Sequence, residues 1–340
     1  MTEASGIYRP PPGLSNPHLQ SLLNSSALRG RLVRRRAREL VAAEQEWLMD
    51  GGHGVRLIAH YSKQAGDSRG LAVLLHGWEG SSRSNYILAT GARLFAGGYD
   101  VFRLNLRDHG DSHHLNAGIF HSCRLNEVIN ALADMQDRTG AKDWAMAGFS
   151  LGGNFTLRVA LYGPERRDLD MARAVAVCPV LNPLNALGSM EQGPGFYEKY
   201  YNRKWADSLR KKQRHYPDRY DYEAWFAIPS MREKTRFFAT RYYDYDTLEN
   251  YFDGYSVAGD RLAPLRVPST ILSAADDPVI PVSDTETLPD NPYLEIVVTQ
   301  YGGHCGYLKN WRLQSWAEDF IFDRFTNGHE VSVAMSEQTA

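Results

Sequence analysis

The sequence predicts an α/β protein: a mostly parallel central sheet with helices on both faces and a helical cap inserted into it. Three observations carry that expectation. Segments of strand and helix character alternate between residues 71 and 178, which calls for a parallel sheet covered on both faces by right-handed crossovers. The pentapeptide Gly148-Phe149-Ser150-Leu151-Gly152 joins one such strand to one such helix. After Pro179 the alternation stops for a stretch rich in Tyr, Trp, Lys and Arg, and it resumes with a strand at 269–275.

Residues 1–43 stand apart, marked by Pro10-Pro11-Pro12 and by Arg31, Arg34, Arg35, Arg36 and Arg38. They read as an arm wrapped on the main body, with the arginines on a solvated helix face. Residues 44–182 and 265–328 read as the core, 183–264 as the cap and 329–340 as a flexible tail. Within the core, 46–49 and 55–61 flank the turn Asp50-Gly51-Gly52-His53-Gly54 as a hairpin. Strands are expected at 71–75, 99–105, 144–147, 172–178, 269–275 and 293–299. Helices are expected at 83–96, 121–139, 154–161 and 308–325.

The composition admits such a fold and excludes several others. A chain of 340 residues with 43% hydrophobic and 23% charged residues can bury a large core and is not a disordered chain. A net charge of −2 provides no global field for nucleic acid. Cys123, Cys178 and Cys305 are few and scattered, which suits reduced thiols rather than a disulfide framework. Residues 1–12 lack the charged and apolar regions of a signal peptide, and no apolar run approaches the ~18 residues of a membrane span. A cytoplasmic protein is expected, with peripheral membrane contact and oligomeric state left open.

Chemistry concentrates at the strand ends. Ser150 sits where a sharp strand-to-helix turn would expose its hydroxyl, and Gly148 and Gly152 are the small neighbours that let such a turn close. A serine hydroxyl needs a base, a carboxylate to orient the base, and donors for an oxyanion. Glycine-rich Tyr301-Gly302-Gly303-His304 offers His304 as the base. The segment after 269–275 offers Asp277 as the acid, with Asp276 as the neighbour that could take its place. His76-Gly77-Trp78 follows the strand at 71–75, so the amides of Trp78 and Leu151 are the expected oxyanion donors. His109, Asp111, His113, His114 and His121 form the rival constellation, a metal site. Adjacent residues 113 and 114 cannot both face one ion in an extended segment, and the loop reads better as a turn supporting the site. No metal and no cofactor are expected.

In the cap, Phe196, Tyr197, Tyr200, Tyr201, Trp205, Trp225, Phe226, Phe237, Phe238, Tyr242, Tyr243 and Tyr251 are mostly expected to hold helices together, with three or four lining an acyl pocket. Lys199, Arg203, Lys204, Arg210, Lys211, Lys212 and Arg214 are expected on a solvated face.

With these motifs in hand, the sequence resembles the α/β-hydrolases, and within them the YheT-like group related to ABHD-type esterases and lipases. The resemblance rests on the serine motif, Gly13-Leu14-Ser15-Asn16-Pro17-His18-Leu19-Gln20, His76-Gly77-Trp78-Glu79-Gly80, His121-Ser122, Asp276-Asp277-Pro278 and Tyr301-Gly302-Gly303-His304. The chain order Ser150, Asp277, His304 is the order of that arrangement. One departure is the loop Arg107-Asp108-His109-Gly110-Asp111-Ser112, closer to the general hydrolase pattern. The resemblance implies a serine carboxylic ester hydrolase acting on a small acyl ester or lipid. An acyltransferase with the same triad and a non-catalytic lipid-binding protein are the alternatives.

Overall fold

The hairpin, the alternating core and the inserted helices all form in the computed structural model, which describes residues 2–3 and 8–327. The tail expected at 329–340 lies outside the described residues. In the arm, β1 (Thr2–Glu3) is followed by α1 (Pro17–Asn24), α2 (Ala27–Arg36) and α3 (Arg38–Ala42). Pro17 begins α1 behind an Asn16 side chain that accepts the Leu19 N–H at 3.0 Å. β2 (Glu44–Asp50) and β3 (Arg56–Ser62) form the antiparallel hairpin. The parallel core continues through β4 (Leu71–Leu75), α4 (Asn85–Ala96), β5 (Asp100–Leu104), α5 (Leu125–Thr139), β6 (Trp144–Phe149), α6 (Leu151–Arg167) and β7 (Met171–Val177).

Between β7 and the next strand come five α-helices, α7 (Pro183–Gln192), α8 (Phe196–His215), α9 (Glu223–Phe226), α10 (Met231–Arg241) and α11 (Leu248–Asp253), and a 3-10 turn at Gly259–Leu262. β8 (Ser269–Ala274), β9 (Leu294–Thr299) and α12 (Trp316–Asn327) complete the chain. The sheet runs β1-β9-β8-β7-β6-β4-β5-β3-β2, parallel from β1 to β5 and antiparallel at the hairpin. Alternate residues of β4 show why these strands are continuously apolar. Leu71, Val73 and Leu75 join the core on one face, and Ala72 and Leu74 the core on the other. Among the described residues, no helix is long and apolar enough to cross a membrane.

All four expected core-helix starts differ from the sequence reading: α4 begins two residues later and α6 three residues earlier, and two others shift by four residues or more. α5 begins at Leu125 rather than 121, because residues 121–124 close a turn in which the Arg124 N–H donates to His121 O at 3.1 Å. α12 begins at Trp316 rather than 308, because Leu308 pairs with Ser315 in an antiparallel bridge closed by the Lys309 N–H on Gln314 O.

Candidate active site

The serine turn is built from backbone constraints. Ser150 has φ 54° and ψ −119°, a left-handed conformation that a non-glycine residue adopts only when its surroundings enforce it. A Cβ on Gly148 would lie 2.2 Å from Gly152 O, and one on Gly152 would lie 2.4 Å from His76 O. Strand, turn and helix therefore pack so closely that only glycine fits at either position. The turn projects Ser150 beyond the carboxyl end of β6, beside the ends of β8 and β9.

Those ends bring Ser150, His304 and Asp277 together. His304 Nε2 lies 3.0 Å from Ser150 Oγ, and His304 Nδ1 lies 2.9 Å from Asp277 Oδ2. The other Asp277 oxygen accepts the N–H groups of Val279 and Ile280 at 2.8 and 3.0 Å. Asp276 instead accepts the Gly303 N–H at 2.9 Å, so it braces the histidine loop without reaching the imidazole. Burial alone would depress the His304 pKa, but the adjacent Asp277 carboxylate, with Cys305, holds it well above the ordinary histidine value.

The N-terminal arm supports this loop, a role that sequence reading had not assigned. Ser21 Oγ accepts the His304 N–H at 2.8 Å, and a Cβ on Gly303 would meet Pro17 O at 2.4 Å. Gln20 is fully buried; its Oε1 accepts the Leu308 N–H, and its Nε2 donates to Leu14 O. The only advance signal was the Asn16-Pro17-His18-Leu19-Gln20 motif, whose site-facing role depends on a contact nearly 290 residues away in sequence.

On the opposite side, the loop after β4 carries His76, Gly77 and Trp78. His76 is fully buried, with Nδ1 on Gly77 O at 2.8 Å and Nε2 accepting the Leu106 N–H at 3.2 Å. Burial, and His109 beside it, push its pKa well down, so it is a neutral strut. A Cβ on Gly77 would lie 3.1 Å from Phe149 O and 3.2 Å from Ser150 Cβ. Tyr86 Oη accepts the Gly77 N–H, while the Trp78 and Leu151 N–H groups have no protein acceptor among the described residues. Glu79, at φ 55°, also lines the site; burial pushes its pKa up to about 8.

Two cavities meet at Ser150. One is apolar and roofed by the inserted helices, with Leu187, Met190, Trp205, Leu209 and Phe238 among its lining residues. The other is polar and is bounded by Asn24, Ser25, Arg83, Lys204 and His304. Of the twelve aromatics singled out in the insertion, Tyr201, Trp205, Phe238, Tyr243 and Tyr251 line the apolar cavity, joined by Phe252 and Tyr255. The Trp78 ring stacks on Tyr201 at 5.6 Å and meets Trp205 edge-on at 5.2 Å, tying the loop after β4 to α8.

Lys212 departs from the expected solvated face. Its side chain is 1% exposed, and Nζ donates to Asp108 Oδ1 at 2.8 Å and to the carbonyls of His113, Asn116 and Gly118. Four acceptors on one loop draw the ammonium inward, a demand that helical spacing does not reveal. The rival metal constellation does not assemble. His109 bridges Arg107 O and the Glu79 N–H, His113 bonds Ser208 and the Asp111 side chain is fully exposed.

A sequence model of the α/β hydrolase fold matches residues 72–310. The chain belongs to that family. It is similar to phospholipase ABHD3 of Homo sapiens, 25% identical over 275 residues, and to YheT of Escherichia coli (strain K12), 26% identical over 331 residues. The first alignment covers 78% of this chain and 66% of the relative, and the second covers 95% and 94%. A monoacylglycerol lipase of Saccharomyces cerevisiae (strain ATCC 204508 / S288c) is 22% identical over 306 residues, 85% of this chain and 67% of the relative. Among solved structures, the Pyrococcus furiosus esterase Pf2001 shares the fold with a TM-score of 0.55 and 15% identity, over 85% of this chain and 91% of that one. The 2,6-dihydroxy-pseudo-oxynicotine hydrolase gives 0.53 and 16%, over 91% and 76%.

Proposed function

We propose that this α/β hydrolase is a serine ester hydrolase of acyl esters or lipids, with Ser150 as nucleophile, His304 as base and Asp277 as its orienting acid. The observation that carries this reading is the Ser150-His304-Asp277 chain of contacts at 3.0 and 2.9 Å, with Ser150 lining an apolar cavity. His304 takes the Ser150 proton as Oγ adds to the ester carbonyl, and Asp277 stabilises the imidazolium. The free amides of Trp78 and Leu151 receive the oxyanion. Collapse of the intermediate expels the alcohol, which takes its proton from His304, and water then releases the acid by the same path. Residues 1–43 serve as a supporting arm, 44–182 and 265–328 as the catalytic core, and 183–264 as a cap over the acyl cavity. The acyl chain occupies the apolar cavity and the alcohol leaves through the polar one. Relatives named for phospholipase and monoacylglycerol lipase activity support the substrate class.

The test is hydrolysis of a p-nitrophenyl ester panel together with fluorophosphonate labelling. Ser150→Ala is expected to lose both, with kcat reduced about 10⁶-fold, while its circular dichroism stays unchanged. Full activity in that variant refutes the reading.

A further inference from the structure

Three metal-ligating side chains converge beside Ser150, and only one of them belongs to the proposed triad. Cys178 follows β7 directly, and Cys305 follows His304. The two sulfur atoms and a ring nitrogen of His304 all lie within 4.8 Å of one another. Both cysteines are free thiols. Both also hold left-handed backbone conformations, with φ 44° at Cys178 and 58° at Cys305, costly for any residue with a side chain. The Cys305 N–H donates to Cys178 Sγ at 3.4 Å, so the turn that presents His304 rests on the other thiol.

A free buried cysteine usually packs as a small apolar side chain. Packing alone does not account for two left-handed cysteines whose sulfurs gather on one imidazole. The cluster also has an entrance: both cysteines are buried, and Cys305 borders the polar cavity together with Ser150 and His304.

Two sulfurs and one imidazole form a donor set for a thiophilic or borderline divalent cation. At Zn–S and Zn–N distances of about 2.3 and 2.0–2.1 Å, ligands around a tetrahedral ion sit about 3.4–3.8 Å apart. The observed ligand atoms, all within 4.8 Å of one another, need to close by at most about 1 Å to reach those separations. We propose that Cys178, Cys305 and His304 form an inhibitory site for Zn²⁺, with water in the fourth position. As the two Zn–S bonds form, each thiol gives its proton to solvent, so affinity increases with pH.

Inhibition follows from the placement of His304 and rests on the triad reading given above. Its two nitrogens are committed, Nδ1 to Asp277 and Nε2 to Ser150. Whichever nitrogen binds the ion leaves its triad partner, so a metal-loaded chain has either an unoriented base or none. The ion is therefore a competitor of the ester reaction and takes no part in it.

The experiment uses full-length chain, reduced and stripped with a chelator. Co²⁺ is added as a spectroscopic probe, and Zn²⁺ is titrated against p-nitrophenyl ester hydrolysis. The wild type is expected to give a thiolate-to-cobalt absorption band that Zn²⁺ displaces, and micromolar Zn²⁺ inhibition reversed by EDTA. Cys178→Ser and Cys305→Ser should each lose the band and weaken Zn²⁺ inhibition by about 10- to 100-fold or more, the loss that even an outer partner of a metal ligand causes. Cys123→Ser, at a thiol outside the cluster, should match the wild type. Absence of the band in wild-type protein overturns the site, and this readout stands even if a serine variant fails to fold. Undiminished Zn²⁺ inhibition in the Cys178→Ser/Cys305→Ser double variant overturns it as well. A wild type that gives the band but hydrolyses no ester refutes the triad reading and leaves the metal site standing.

Discussion

The sheet edge and the inserted helices face each other across the same cavity, yet different forces hold them. Ser150, Asp277 and His304 sit just beyond β6, β8 and β9, where ladder hydrogen bonds and obligatory glycines set the backbone. The insertion has no strand, and side chains fix it: Trp205, Trp225 and Phe238 pack ring on ring, and Lys212 locks α8 onto the loop at 108–118. His18 Nδ1 and Tyr197 Oη, 3.1 Å apart, tie it to the arm. Backbone-fixed geometry tolerates almost no displacement, which suits atoms that must react. Side-chain-fixed geometry can be repacked, which suits a surface that selects a substrate.

Substitutions can break that contrast. At the sheet edge, Asp277→Asn should lower kcat about 10⁴-fold with the fold intact, since the imidazole loses both its tautomer and its counter-charge. The same variant has a pH signature. Only neutral His304 accepts a proton, so wild-type kcat/KM should rise with pH through a midpoint above the ordinary histidine value. Removing the Asp277 carboxylate, which holds that value up, should move the acid limb of residual activity to lower pH. An unmoved limb would detach Asp277 from the base.

In the insertion, Lys212→Met should cost about 3–5 kcal/mol of stability, because Asp108 stays buried without its cation. Thermal unfolding measures the loss, and Asp108→Asn added to Lys212→Met should recover part of it. A smaller effect is expected from Leu209→Ala, which enlarges the apolar cavity and should shift preference toward longer acyl esters by about 10-fold or more. Equal loss on every chain length would mean that Leu209 does not line the acyl path. The smallest effect concerns Glu79, whose carboxyl pKa is pushed up to about 8 by burial, with the charges of Lys204 and Lys211 opposing and those of Asp108 and Asp207 adding to it. Activity of the wild type should fall above that pH as a charge forms in the cavity, and Glu79→Gln should flatten the alkaline limb.

Legibility in the sequence follows the same division. The serine turn could be read because its glycines, its strand and its helix lie within about twenty residues. Asp277 and His304 could be read because strand ends carry polar residues after apolar runs. Lys212 could not, since the four acceptors that bury it come from a loop about a hundred residues earlier. Ser21 could not either, since nothing near it in sequence indicates that its hydroxyl would receive the His304 amide. The starts of α5 and α12 escape the apolar period because a turn and a bridge capture the backbone groups just before them.

By itself, then, the sequence determined the alternating sheet, the family, and a serine, an aspartate and a histidine at three strand ends, because apolar period, glycine and motif order are local properties of a chain. Only the tertiary structure decided that Asp277 rather than Asp276 meets the imidazole, that the arm braces the histidine loop, that Lys212 is buried, and that Cys178 and Cys305 close on His304. Each of these depends on which distant atoms a fixed backbone brings together, to about 3 Å for a hydrogen bond and to about 3.4–3.8 Å between the ligands of one tetrahedral ion.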